Sequence, residues 1–266
     1  MPPDGGIPEP GLGPGEGLAA EEGVTRAGCM VGALLDSVTA ARSGNRMVTL
    51  HVYYVRHGEN TANITRELSH RVVDHPLTPR GVEQASAVAD YLATRSPDGP
   101  VFCSPLRRAR QTAVPIAARI GARVVVDERL REVDVGFLDG RRDPEAWAVY
   151  TGTHRAWRDG EVDRRFPGGE CGRELVDRMR AAFVDVLRRA EGNAVVVVGH
   201  GGILRAGLPG LCPDLTPQAL PGDVVNCSVT ELALRADRRH GVVGQLIRWG
   251  DVDHLGVAAG RTSTVR

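Results

Sequence analysis

Val52-Tyr53-Tyr54-Val55-Arg56-His57-Gly58-Glu59 is the stretch on which the reading of this chain turns. A short run of β-branched and aromatic residues reads as a buried strand. It stops where a cation, an imidazole and a residue without a Cβ follow one another. In open α/β sheets ligands bind beyond the carboxyl ends of the strands, so this run delivers His57 to the expected cleft. A second, fully apolar run over 194–198 ends in the same manner, in Gly199-His200-Gly201-Gly202. His57 and His200 both adjoin glycine, which permits close approach of backbone to a ligand. The other histidines, His51, His70, His75, His154, His240 and His254, read as surface or core residues without a role.

Strand and helix signals alternate between and beyond these two runs. Leu77-Thr78-Pro79-Arg80-Gly81 starts a helix that reaches about Arg95, with Thr78 as N-cap and Pro79 in the first position. A strand is predicted over 101–103, then a helix over about 106–120 in which Pro115 predicts a kink. A strand over 124–126, helices around 144–158 and 170–190, and final strands over 228–234 and 242–249 complete the series. Such alternation implies an α/β domain with three layers, α/β/α, and a largely parallel central sheet covered on both faces. The domain is expected over 47–253, with 254–266 as a tail. Residues 1–23 are dominated by Gly, Pro, Ala and Glu and cannot bury enough apolar surface to offset their ordering entropy. Residues 24–43 can form an amphipathic helix through Val24, Val31, Leu34, Leu35 and Val38. The first 46 residues together are expected to be a disordered extension, and Met30 or Met47 is a candidate natural start.

All 33 cationic side chains are Arg, none is Lys, and they balance 33 acidic ones. The absence of lysine excludes Schiff-base chemistry, a Walker A loop and a kinase catalytic lysine. Zero net charge argues against nucleic-acid or membrane-surface partners. No apolar run approaches the roughly 20 residues of a membrane span, and no basic segment precedes the short apolar patch over 29–35. Cys29, Cys103, Cys171, Cys212 and Cys227 are scattered, without a CxxC pair, and read as reduced thiols of a cytoplasmic protein. No HxxxH, HExxH or CxxC pattern supplies a metal site. Arginine accompanies the histidines instead, as Arg56 and in Ser104-Pro105-Leu106-Arg107-Arg108-Ala109-Arg110-Gln111-Thr112. Clustered cations repel a metal and attract an anion, and the guanidinium fork matches phosphate.

At these residues the chain resembles the histidine phosphatase superfamily, the clan of cofactor-dependent phosphoglycerate mutases and related phosphomonoesterases. The matching pieces are Arg56-His57-Gly58-Glu59 with Asn63, Leu77-Thr78-Pro79-Arg80-Gly81 with Gln84-Ala85, and Ser104-Pro105-Leu106 with Arg108-Ala109 and Gln111-Thr112. Leu130-Arg131-Glu132 with Gly136, Pro167-Gly168-Gly169-Glu170 and Val198-Gly199-His200-Gly201-Gly202 follow in family order, over about residues 47–250. The resemblance implies that His57 is the nucleophile and forms a phosphohistidine. It implies that Arg56, Arg108, Asn63 and His200 surround the phosphoryl oxygens. Glu132 would protonate the leaving group and then activate water.

The family pattern sets its phosphate-binding arginine directly before alanine, which selects Arg108. Arg107, about 100° away on a helix, is left to the leaving group or to solvent. Asp134 and Asp139 are alternatives to Glu132, which family position favours. Glu59 orients Arg56 or its loop, and Thr61 adds a hydroxyl to the pocket. Gly201 joins the pocket where phytase-like branches carry an Asp proton donor, so the donor here comes from elsewhere. The segment 140–169 resembles the family's variable cap and contains Arg141, Arg142, Arg155, Arg158, Arg164 and Arg165 with Trp147, Tyr150, Trp157 and Phe166. The Leu-x-Gly-x-Asn-Lys insertion of the glycolytic mutases is missing. The expectation is a phosphomonoesterase, free of metal and cofactor, acting on a small phosphorylated metabolite. Mutase-type transfer and a non-catalytic phospholigand-binding module are the alternatives, and a homodimer is left open.

Overall fold

The computed structural model describes residues 49–220 and 222–260, so the extension and the helix expected over 24–43 lie outside the described residues. Strand β1 (Leu50–Arg56) shows why the sheet is covered on both faces. Successive side chains of a strand point to opposite faces, and here both sets are apolar. Leu50, Val52 and Tyr54 enter one core with Phe102, Val195 and Val197, whereas Tyr53 and Val55 enter another with Val101, Val196 and Val198. Burial of each such side chain stabilises the fold by roughly 1.5–3 kcal/mol.

The other strands are β2 (Val101–Cys103), β3 (Val124–Val126), β4 (Ala194–Gly199), β5 (Val229–Asp237) and β6 (Gly241–Asp251). Their order is β3-β2-β4-β1-β5-β6. The first four in this order run parallel, and β5 and β6 run antiparallel at one edge. The short turn between β5 and β6 permits only that hairpin, because a parallel return needs a long crossover.

The helices in chain order are α1 (Thr61–Thr65), α2 (Pro79–Arg95), α3 (Arg107–Ile120), α4 (Pro144–Arg158), α5 (Gly172–Arg189) and α6 (Gly201–Leu211). Helix α2 starts as expected, with the Thr78 hydroxyl accepting from Gly81 N at 3.0 Å and Pro79 in the first turn. It packs with α3 on the second core through Val88, Leu92, Ala113 and Ile116. Pro115 lies inside α3 without ending it. Helix α5 begins two residues later than expected, because the Glu170 carboxylate is engaged by Asp134 N and Arg178 and Cys171 takes the cap position.

Helix α6 has no forecast in the sequence. Gly201, Gly202, Gly207, Pro209 and Gly210 are poor helix formers. It folds because Ile203, Leu204, Leu208 and Leu211 are buried in the first core beside Leu175, Met179 and Phe183 of α5. Packing also continues into the expected tail. The His254 ring stacks on Tyr91 at 4.7 Å, and its Nε2 lies 2.9 Å from the Cys227 carbonyl.

Candidate active site

Three neighbouring parallel strands, β2, β4 and β1, end together, and each delivers polar groups to the same place. His57 follows β1, His200 follows β4, and Ser104 follows β2, with Arg108 in the first turn of α3. The His57 and His200 ring centroids are 5.1 Å apart. The sheet itself sets this spacing, since Arg56 pairs with Gly199 and His57 N donates to the Gly199 carbonyl at 3.0 Å. Tyr54, two residues before Arg56, reaches across: its hydroxyl accepts from His200 N at 2.9 Å and donates to the His200 carbonyl at 3.0 Å. Gly58 and Gly81 let the end of β1 meet the first turn of α2, since a Cβ on Gly58 would lie 2.5 Å from the Gly81 carbonyl oxygen.

The His57 ring is buried, and its Nδ1 lies 2.7 Å from the Gly58 carbonyl, which only accepts. The proton therefore sits on Nδ1, and Nε2 carries a lone pair. Arg108 Nε donates to that nitrogen at 3.1 Å. Burial, then the positive charges of Arg108 and Arg56, hold His57 well below its ordinary value of 6.5. Burial and Arg108 do the same to His200, whose Nε2 lies 2.8 Å from Ser104 Oγ. Arg108 is itself pushed down to about 10 by burial, which leaves it charged at neutral pH. Its remaining nitrogens donate to Ser69 Oγ and the Ser69 carbonyl at 3.2 and 2.9 Å. Arg56 is anchored on the Val224 carbonyl. Arg56 Nε and His200 Nδ1 are buried with no partner among the described residues, so each keeps a hydrogen-bonding capacity that no described protein group uses.

Glu132 stands at the start of α6. Its Oε1 accepts from Ile203 N at 2.7 Å and Val133 N at 2.9 Å, and its Oε2 accepts from Gly202 N at 3.0 Å. A helix N-terminus is a natural seat for a carboxylate. Gly202 is required for this approach, because a Cβ there would lie 2.6 Å from Glu132 Oε1. Behind it, Arg178 donates to the carbonyls of Arg129, Arg131 and Glu132 at 2.8, 2.9 and 3.0 Å and pairs with Glu170 at 2.6 Å. His70 Nδ1 lies 2.8 Å from the same Glu132 carbonyl.

These groups open into one cavity of about 1420 Å³, lined by Arg56, His57, Asn63, Arg108, Glu132 and Gly201 and walled by α4. Asn63 Oδ1 accepts from Asn60 N and from Asn226 Nδ2, both at 3.1 Å, which leaves the Asn63 amide nitrogen for a ligand. Asn226 also donates to the His57 carbonyl at 2.9 Å.

Two expected site residues are corrected. Thr61 is exposed and does not line the cavity, because the Asn60 cap starts α1 so that Ala62 is the residue turned inward. Arg107 is exposed beside a separate depression of about 590 Å³, its backbone N–H held 2.9 Å from Asp74. Asp139 binds the loop amides of His70, Arg71 and Val72, and Asp134 accepts from Gly136 N; neither lines the cavity, whereas Glu132 does. Glu59 accepts from the Thr78 hydroxyl at 2.9 Å instead of binding Arg56. Tyr54, His70, Arg178 and Asn226 had no signal, because each acts through a contact with a residue distant in sequence; Ser104 was marked by its motif, but not its contact with His200.

Two consequences can be measured. Tyr54→Phe leaves the buried His200 N–H without its acceptor, a loss of about 1–3 kcal/mol. The expected result is a lower melting temperature and a kcat reduced by about tenfold; an unchanged kcat would mean that the strand alone holds His200. The second concerns pH. His57 and His200 are neutral when folded and titrate near 6.5 when unfolded, so the unfolded state binds more protons as pH falls below that value. Stability is full above about 6.5 and declines as pH drops toward the lowered folded values. Urea midpoints recorded from pH 8 to 5 check this, and a midpoint that rises on acidification contradicts it.

Comparison with known proteins gives a consistent result. A family model described as histidine phosphatase superfamily (branch 1) matches residues 52–245. The chain is similar to the probable phosphoglycerate mutase GpmB of Enterobacter sp. (strain 638), with 34% identity over 215 residues, 79% of this chain and 97% of that protein. Among solved structures it is similar to mycobacterial glucosyl-3-phosphoglycerate phosphatase, with a TM-score of 0.65 and 28% identity over 77% of this chain and 100% of that one. The same phosphatase in complex with VO3 matches with a TM-score of 0.64 and 30% identity over 76% of this chain and 100% of that one.

Proposed function

Because the chain belongs to the histidine phosphatase superfamily (branch 1), we propose that it is a metal-independent phosphomonoesterase that hydrolyses a small phosphorylated metabolite through a phosphohistidine. The observation that carries this reading is the His57 ring: its Nε2 is unprotonated, lines the cavity and stands among Arg56, Arg108 and His200. In the first step Nε2 attacks phosphorus, the P–O bond to the leaving group breaks, and Glu132 gives its proton to the departing oxygen. In the second, the Glu132 carboxylate takes a proton from water as that oxygen attacks phosphorus. The N–P bond breaks, phosphate leaves, and Glu132 is again protonated. Arg56, Arg108, His200 Nδ1 and the Asn63 amide stabilise the charge on the transferring group. The guanidinium charges do work that a metal ion does in other phosphatases.

Mutase-type transfer shares the first step, and the similarity to proteins named as probable phosphoglycerate mutases bears on it. A mutase must keep water from the phosphohistidine. The size of the cavity, about 1420 Å³, and the absence of the mutase insertion both favour hydrolysis. The four described cysteines are free and buried, in keeping with a cytoplasmic enzyme. The test is phosphate release from a panel of phosphorylated metabolites, run beside isomerisation of 3-phosphoglycerate with 2,3-bisphosphoglycerate, before and after EDTA treatment. Phosphate release that survives EDTA is expected. Isomerisation without release, or a strict need for divalent metal, overturns the proposal.

A further inference from the structure

The wall that α4 presents to the cavity is graded along its length. Trp147, Tyr150, Thr151, His154, Arg155 and Arg158 line the cavity at helical spacing. At the near end, Tyr150 lies within electrostatic reach of Glu132 and Arg56. Its ring stands 5.2 Å from Trp147 and 4.5 Å from His154. At the far end Arg155 and Arg158 flank Trp157 in the lining. With 1.5 Å rise per residue, Arg155 and Arg158 sit about 8 and 12 Å beyond Tyr150 along the helix axis.

Carboxylates distinguish these two arginines from most of their neighbours. Elsewhere on the cavity wall Arg173 pairs with Asp163 at 2.8 Å, Arg180 with Asp177 at 3.6 Å and Arg205 with Asp223 at 3.1 Å. In the cap away from the cavity Arg141 pairs with Asp143 and Arg165 with Glu174. Arg155 and Arg158 have no acidic partner among the described residues, and both face the cavity. A place in the last turn of α4, where the helix dipole favours cations, suits both residues. It does not account for the lack of an ion pair at either residue among the described residues while the arginines beside them are paired.

We propose that Arg155 and Arg158 form a second anion subsite, so that the substrate is an extended phosphomonoester carrying a carboxylate or phosphate at the end remote from the scissile group. This rests on the phosphomonoesterase reading above. A ligand that runs from His57 past the Tyr150 ring and then along α4 has about 8 Å more to cover before it meets Arg155, which a three-carbon phosphoacid does not span. The intervening body is about the size of a sugar ring or larger, and the Tyr150 and His154 rings give it a wall to lie against. A cavity of about 1420 Å³ accommodates such a ligand.

A rigid pair of esters tests this: 4′-(phosphonooxy)biphenyl-4-carboxylate and its neutral 4-carboxamide, identical at the reacting end. The expected result is a kcat/KM for the carboxylate about tenfold above that for the carboxamide. In the double variant Arg155→Gln/Arg158→Gln that ratio falls to near one. Because the ratio is taken within each protein, a poorly folded variant loses both activities and leaves the ratio unchanged, which separates misfolding from loss of the subsite. Equal turnover of both esters by the parent enzyme, or a preference that persists in the double variant, overturns the subsite and leaves the phosphomonoesterase reading intact. Hydrolysis of neither ester, together with no phosphate release from the metabolite panel, overturns both.

Discussion

His57→Ala is expected to abolish phosphate release, with kcat falling by at least about 10⁴-fold, while the protein stays folded and still binds inorganic phosphate. The size follows from the geometry. Loss of the ring removes the nitrogen that would accept the phosphoryl group, and His200 does not replace it: its Nε2 is engaged by Ser104, and its ring does not line the cavity as His57 does. Arg108 Nε loses its acceptor as well, so the freed guanidinium is available to phosphate. Rapid quench with labelled substrate is the direct measurement. The parent enzyme should trap an acid-labile, alkali-stable phosphoryl label, and the variant none. A variant that keeps activity within tenfold of the parent rules out His57 as the nucleophile.

Glu132→Gln is expected to have the second largest effect, a loss of about 10²–10⁴-fold in kcat for alkyl phosphates. For aryl phosphates, whose phenolate leaves without a proton, the first step should be affected far less. The same replacement disturbs the carboxylate's seat. Both oxygens of Glu132 accept backbone N–H groups, so a carboxamide sets its own N–H against one of them, at Gly202, Val133 or Ile203. A lower melting temperature is therefore expected too. The leaving-group dependence separates the two effects, because a general loss of structure lowers both substrate classes alike. Equal losses for alkyl and aryl esters would remove Glu132 from the role of acid.

Much of this was legible in the chain because local pattern and tertiary outcome agree. The apolar runs that became β1, β2, β3 and β4 are marked by composition, and the strand-end histidines by the glycines beside them. Helix α6 was hidden because its glycines and proline argue against a helix, while buried Leu204 and Leu208 and the amides that hold Glu132 argue for it only after folding. Thr61 was misplaced for a local reason: the Asn60 cap starts α1 at Thr61, which leaves its side chain outward and turns Ala62 inward. The supports of the site, Tyr54, Arg178 and Asn226, carry no pattern because their partners lie 146, 46 and 163 or more residues away.

The pairing of Arg56 with Gly199, and the Tyr54 hydroxyl bound to both backbone groups of His200, mean that the two histidines are fixed by main chain rather than by each other. The wall contributed by α4, in contrast, is held by side-chain packing and by bonds to loops and caps, the Trp147 indole donating to the Arg66 carbonyl and Gln218 Nε2 to the Arg158 carbonyl, with no strand pairing. Descendants of such a chain can therefore vary the cavity-facing positions of this helix, such as Thr151, Arg155 and Arg158, without moving a reacting atom, while Ala146 and Trp157 hold it on the core. Novel substrates become reachable by changes in one surface helix, while the strand ends stay as they are.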